Sequence, residues 1–141
     1  MKDLYNNLSV VSLLDPIAVS TTQTITDIDL AGFNSCVLII ACGLDASMSA
    51  SHKIVFVLSD SDDGTTYTAV EDADMLGVED ITSGTILSID NVNTEDNSIS
   101  MFGYVGGKRY LQLVGTVTGT TDPPLFIGLI KGHPQDAPIV S

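Results

Sequence analysis

Tryptophan is absent from this chain of 141 residues, cysteine and histidine occur twice each, and lysine plus arginine total five against 18 acidic side chains. Each shortage narrows function. With no Trp, and four Tyr and four Phe in all, an aromatic platform for a sugar ring is hard to assemble. This weighs against a carbohydrate-binding or adhesin-type sandwich, the main rival reading within the fold class derived below. The two imidazoles, His52 in a loop and His133 near the end, do not supply clustered ligands for a metal, and no cofactor is expected. A net charge of −13 repels phosphate and anionic head groups, so neither nucleic acid nor a membrane is an expected partner.

Other absences concern chemistry and compartment. No Gly-x-Ser-x-Gly elbow and no Cys and His signature occurs, so the chain is not expected to be an enzyme. Ser59-Asp60-Ser61-Asp62-Asp63-Gly64 resembles a calcium loop, with Glu71 at the twelfth position from Asp60. Its glycine falls one place early and no flanking helices can be drawn, so it reads as a solvated acidic loop. No apolar run approaches the roughly 20 residues of a membrane span. The apolar stretch at residues 10–14 is broken by Ser12 and closed by Asp15-Pro16, unlike a signal peptide, so synthesis in a cytoplasm is expected. Cys36 and Cys42 share one apolar run. As strand residues they would face the same way about 20 Å apart, out of disulfide reach, and read as buried free thiols.

What the chain has in quantity is apolar and β-branched character. Hydrophobic residues make up 44% and charged ones 16%, a balance that folds. Residues 1–16 show no period of two and read as an N-terminal arm with a helical turn around Leu4, Leu8 and Val11. From residue 17, short alternating segments take over. Strands are predicted at 22–30, 35–41, 53–58, 65–70, 85–89, 99–105, 109–117 and 125–131, with polar loops at 59–64 and 91–97. Residues 35–41 form a continuous apolar run suited to a strand covered on both faces. Gly106-Gly107 suggests a hairpin joining 99–105 to 109–117. About eight short strands and no long amphipathic helix predict an antiparallel jelly roll or β-sandwich at 17–131, followed by a C-terminal tail at 132–141.

Two features suggest contact with other proteins. An arm carrying Leu4, Tyr5, Leu8, Val11 and Leu14 has little use in water, and packs either on its own sandwich or on a neighbour. Lys108-Arg109-Tyr110 is the one basic cluster. It either balances nearby acid or offers a guanidinium fork to a partner's carboxylate.

Four blocks, Met1-Lys2-Asp3-Leu4-Tyr5-Asn6-Asn7-Leu8, Asp29-Leu30-Ala31-Gly32-Phe33, Gly103-Tyr104-Val105-Gly106-Gly107-Lys108-Arg109-Tyr110 and Gly132-His133-Pro134-Gln135-Asp136-Ala137-Pro138, resemble the decoration or cement proteins of tailed-bacteriophage heads, the Bordetella phage group in particular. The acidic stretch 59–97 lies outside these blocks. The resemblance implies a jelly-roll subunit, paired as a homodimer. It implies a place in the virion, on the outer surface of the capsid, where the subunit bridges neighbouring copies of the major capsid protein. Arm and tail, including His133 and Pro134, would then reach over the shell. A tail or head-completion protein is a further reading.

Overall fold

The structure, a computed structural model, describes residues 3–90 and 99–138. Ten strands are found among them, β1 (Leu8–Ala18), β2 (Gln23–Asp29), β3 (Phe33–Cys42), β4 (Lys53–Ser61), β5 (Thr68–Ala69), β6 (Met75–Leu76), β7 (Thr85–Ile89), β8 (Ile99–Tyr104), β9 (Tyr110–Thr118) and β10 (Pro124–Pro134). Single 3-10 turns occupy Tyr5–Asn7 and Asp72–Asp74. After the second, Gly77, at a φ of 88°, interrupts any longer helix.

Two antiparallel sheets face each other. The first has the order β1-β10-β3-β8-β6. The second has the order β2-β9-β4-β5, with β7 also paired to β4. The pairs β1 with β10, β2 with β9, β3 with β8 and β4 with β7 are nested about the middle of the chain, which is the pairing of a jelly roll. The chain changes sheet at almost every connection. Between the sheets lies one core, in which Phe56, Ile54 and Leu58 of β4 meet Ile127 and Leu129 of β10, Leu38 and Ile40 of β3, and Leu111 and Leu113 of β9. Each contributes every second residue, as the pleat requires.

Three expectations are corrected. Residues 8–18 are not an arm but the edge strand β1, held in register from Leu8 opposite Gly132 to Ala18 opposite Pro124. The period of two is masked by register shifts after Ser12 and Leu14, where Leu13 and Leu14 both pack against the core. The expected tail begins later than residue 132, because β10 continues to Pro134, opposite Phe33. Residues 99–105 and 109–117 do not form a hairpin: β8 lies in the first sheet and β9 in the second. The predicted loop 91–97 lies outside the described residues.

The Gly106-Gly107 pair serves that crossing. A Cβ on Gly106 would stand 2.7 Å from the Tyr104 ring and hydroxyl and 2.8 Å from Asp74 Oδ1, so a bare backbone is needed for the chain to pass Tyr104. Gly107 takes a φ of 78°. The next residues are tied down at once, with Lys108 N–H donating to the Tyr104 hydroxyl (3.0 Å) and Leu30 N–H to the Arg109 carbonyl (2.9 Å).

A candidate docking face on the first sheet

The residues singled out from the sequence do not gather in one place. Leu4 precedes the first 3-10 turn and Tyr5 opens it, both exposed, Tyr5 at 88%, while Leu8 is half-buried at the start of β1. Val11 and Leu14 point inward and pack on the molecule's own core; of the two destinations open to them, they take their own sandwich. His133 stands near the end of β10 with a φ of 50°, its Nδ1 2.7 Å from Ser35 Oγ. Pro134 follows it and closes the strand.

The basic cluster is engaged within the chain. Arg109 donates from Nε and Nη2 to the two oxygens of Asp29, both at 2.9 Å, and its guanidinium lies 4.8 Å from the centre of the Tyr110 ring. The fork expected to meet a partner's carboxylate or to balance nearby acid thus finds its carboxylate within the chain. The Arg109 hydrogen bonds, followed by the Ala31 N–H, hold the Asp29 carboxyl down at about 2. Lys108 pairs with Asp62.

Of the predicted solvated loop 59–64, Ser59, Asp60 and Ser61 instead belong to β4, with Asp60 and Ser61 buried, and the turn that follows is organised around Asp63. Asp63 accepts from the N–H groups of Thr66 and Thr65 and from the Ser61 hydroxyl. These bonds, Thr66 first, hold its carboxyl well below the usual range. Among the described residues no group of three or more His, Cys, Asp or Glu is arranged to hold a metal. Cys36 and Cys42 are buried and form no disulfide, and burial pushes the Cys36 thiol up to about 11.

The distinctive surface is one the sequence indicated only indirectly. On β3 the inward side chains are Cys36, Leu38, Ile40 and Cys42, so Val37, Ile39 and Ala41 point outward. Register carries these outward positions across the whole first sheet. One row runs Val10, Ile130, Val37, Gly103, Leu76; the next Ser12, Gly128, Ile39, Met101; the third Phe126, Ala41, Ile99. No charged side chain stands in these rows. Val10 is 72% exposed, Ile99 70%, Met101 63% and Leu76 59%. The ring of Phe126 lies along Gly128, where a Cβ would come within 2.9 Å of it. The outer face of the second sheet is different, mixing Thr24, Gln112, Thr116 and Ser59 with Val55, Val57 and Val114.

Strand β3 thus satisfies half of its sequence expectation. Its inner face is covered by the second sheet, and its outer face is apolar without a cover from the described chain.

No family model and no curated protein matches the chain. Among solved structures it is similar to a chain from Bacillus endospore appendages, described as a novel family of disulfide-linked pili, at 14% identity, with 96% of this chain and 98% of that chain aligned and a TM-score of 0.46.

Proposed function

We propose that this protein is a non-enzymatic structural subunit that docks through the outer face of its first sheet onto a protein shell, as a decoration or cement protein on the outside of a phage head. The observation that carries this reading is the apolar outer face of the first sheet, charged among its strands only at Asp15 on the β1 edge, on a molecule of net charge −13. A contiguous exposed apolar surface on so acidic a chain marks a protein contact.

Its size indicates the kind of contact. Five strands about 4.8 Å apart and three rows about 7 Å apart span roughly 400 Å². Two such surfaces together bury about 800 Å², below the ~1,200 Å² at which stable pairwise interfaces begin. One copy then binds weakly, and strength comes from many copies engaged around one particle. That suits a cement, which must clamp neighbours collectively against internal pressure. The negative surface favours the outside of a DNA-filled head over its inside. Pairing with a second copy, which the resemblance also implies, would add a second contact to each unit.

The test uses purified heads stripped of decoration. The wild-type protein is expected to co-sediment with them and raise their rupture temperature, and the pair of exposed-face variants Val10→Glu and Met101→Glu to do neither while remaining folded. Heads that resist rupture equally with and without the protein would remove the reading.

A further inference from the structure

The outer face of the first sheet is not flat. Beneath the first 3-10 turn lies a hollow of about 590 Å³ whose floor and walls include Leu4, Leu8, Val37, Ile130 and Pro134, with Asp3 at its rim. At the opposite end of the same face a second hollow of about 290 Å³ is bounded by Ala41, Ile99, Phe126 and Pro124. Gly132 lies at the first and Phe126 at the second, six residues apart on β10, so about 20 Å separates them. A volume near 600 Å³ accepts more than one large apolar side chain.

Charge is distributed unevenly around this face. The described cations are Lys53, Lys108, Arg109 and Lys131, and none occupies an outward position on the first sheet. Lys108 and Arg109 are paired with Asp62 and Asp29, and Lys131 lies over the Phe33 ring. Asp3 stands at the larger hollow and Asp15 on the edge strand, its carboxylate accepting from the outward Ser12 hydroxyl, whereas Lys108 and Arg109, each already paired with an aspartate, line a separate hollow with Ser35 and Val105. A second copy would bring another −13 to the contact, and anionic lipid is repelled likewise. An apolar segment with basic flanks is attracted, because its centre loses water against the rows and its cations meet the acidic border.

The manner of binding is constrained as well. Strand β1 is an exposed edge, but it is bulged after Ser12 and Leu14 and carries Asp15-Pro16, features that discourage the addition of a further strand. The face, and not the edge, is the open surface.

From these observations, and resting on the docking reading above, we infer that the occupant of the first sheet is a protein segment with an apolar centre flanked by Lys or Arg. The segment spans at least about six extended residues and seats an apolar side chain in the hollow under Leu4.

The experiment uses the full chain and two fluorescent peptides sharing one Leu- and Phe-containing centre, one flanked by lysines and the other by glutamates. Anisotropy should show at least tenfold tighter binding of the lysine peptide, weakening as salt rises. Amide shifts should fall on β1, β3, β8 and β10. Leu4→Trp, at a 66% exposed position, should fill the hollow and weaken binding several-fold, and Asp15→Lys should reduce the salt dependence. Equal binding of the two peptides, shifts on β2, β4 and β9, or an unaffected Leu4→Trp variant would overturn the inference. So would a dimer in sedimentation that Met101→Glu dissociates, since the face would then belong to a second copy. The two readings fail separately: heads that bind wild type but not Met101→Glu, with peptides that show no preference, leave the docking face standing and remove only the basic-flanked segment.

Discussion

Tyr104 at the end of β8 donates a hydrogen bond of 2.7 Å from its hydroxyl to Asp60 Oδ2 on β4, joining the two sheets through a carboxylate that is 6% exposed. The same hydroxyl accepts from Lys108 N–H, so one buried phenol links both sheets and the crossing between β8 and β9. Burial, followed by the bond to Asp60, pushes the phenol well above its ordinary range. Removing the hydroxyl leaves a buried acceptor and an N–H without this partner. Tyr104→Phe is therefore expected to destabilise the fold by about 1–3 kcal/mol. In urea unfolding, the double variant with Asp60→Asn should lose less than the sum of the single variants. Strict additivity would show that the two groups do not act together.

The crossing itself can be tested at Gly106. A methyl group there would meet the Tyr104 ring, its hydroxyl and Asp74 Oδ1, all under 3 Å. Gly106→Ala is expected to cost about 1–3 kcal/mol through overpacking. At Gly107 a Cβ meets nothing within 4 Å, so Gly107→Ala adds only the penalty of a positive φ, about 1 kcal/mol. A chemical-shift change at Tyr104 that appears with Gly106→Ala and not with Gly107→Ala would separate the two causes.

Acid should weaken the sandwich within a defined window. The carboxyl of Asp29 is held at about 2 by Arg109, and those of Asp45 and Asp63 are held low by the Thr121 hydroxyl and by the Thr66 and Thr65 N–H groups respectively. A carboxyl depressed in the folded state stabilises it above the unfolded value near 4, and that contribution is lost as pH falls through the folded value. The urea midpoint is expected to stay level from pH 7 to 5 and to drop between about pH 4 and 2. Asp45→Asn should make the drop shallower; a curve parallel to wild type would show that Asp45 carries none of it.

Neighbouring residues on β8 should respond in opposite ways. Phe102 is 4% exposed and belongs to the core, whereas Met101 is 63% exposed on the outer face. Phe102→Ala is expected to cost about 3–5 kcal/mol, and Met101→Glu less than about 1 kcal/mol. Comparable losses in thermal unfolding would mean that the outer face is packed against something within the chain.

Cys36 should be chemically silent in the folded protein. It is buried and its thiol is pushed up to about 11 by that burial, so little thiolate exists near pH 8. Labelling with a maleimide at that pH should be at least ~100-fold slower than in urea. Rapid native labelling at Cys36 would show that the sandwich opens.

The candidate site was legible in one place and hidden in others. The apolar run through Val37 and Ile39 indicated a strand wanting cover on both sides, and that is where the exposed face lies. Its other members were not recoverable, because Val10, Met101 and Leu76 come from segments far apart in the chain and join Ile39 only through strand register. Val11 and Leu14 misled for the same reason: an apolar side chain near a terminus looks the same in sequence whether it faces a neighbour or its own core. Arg109 offered a fork, but Asp29, 80 positions away, was invisible as its partner.

Composition and the period of two in the apolar residues are enough to determine an acidic, antiparallel β domain, since alternation fixes which side chains share a face along any one strand. Which strands lie side by side, that β1 closes the sheet instead of reaching out, and that β8 and β9 part into different sheets were decided by tertiary structure. The physical reason is that pairing depends on contacts between distant segments, and local sequence carries the pleat but not the neighbour.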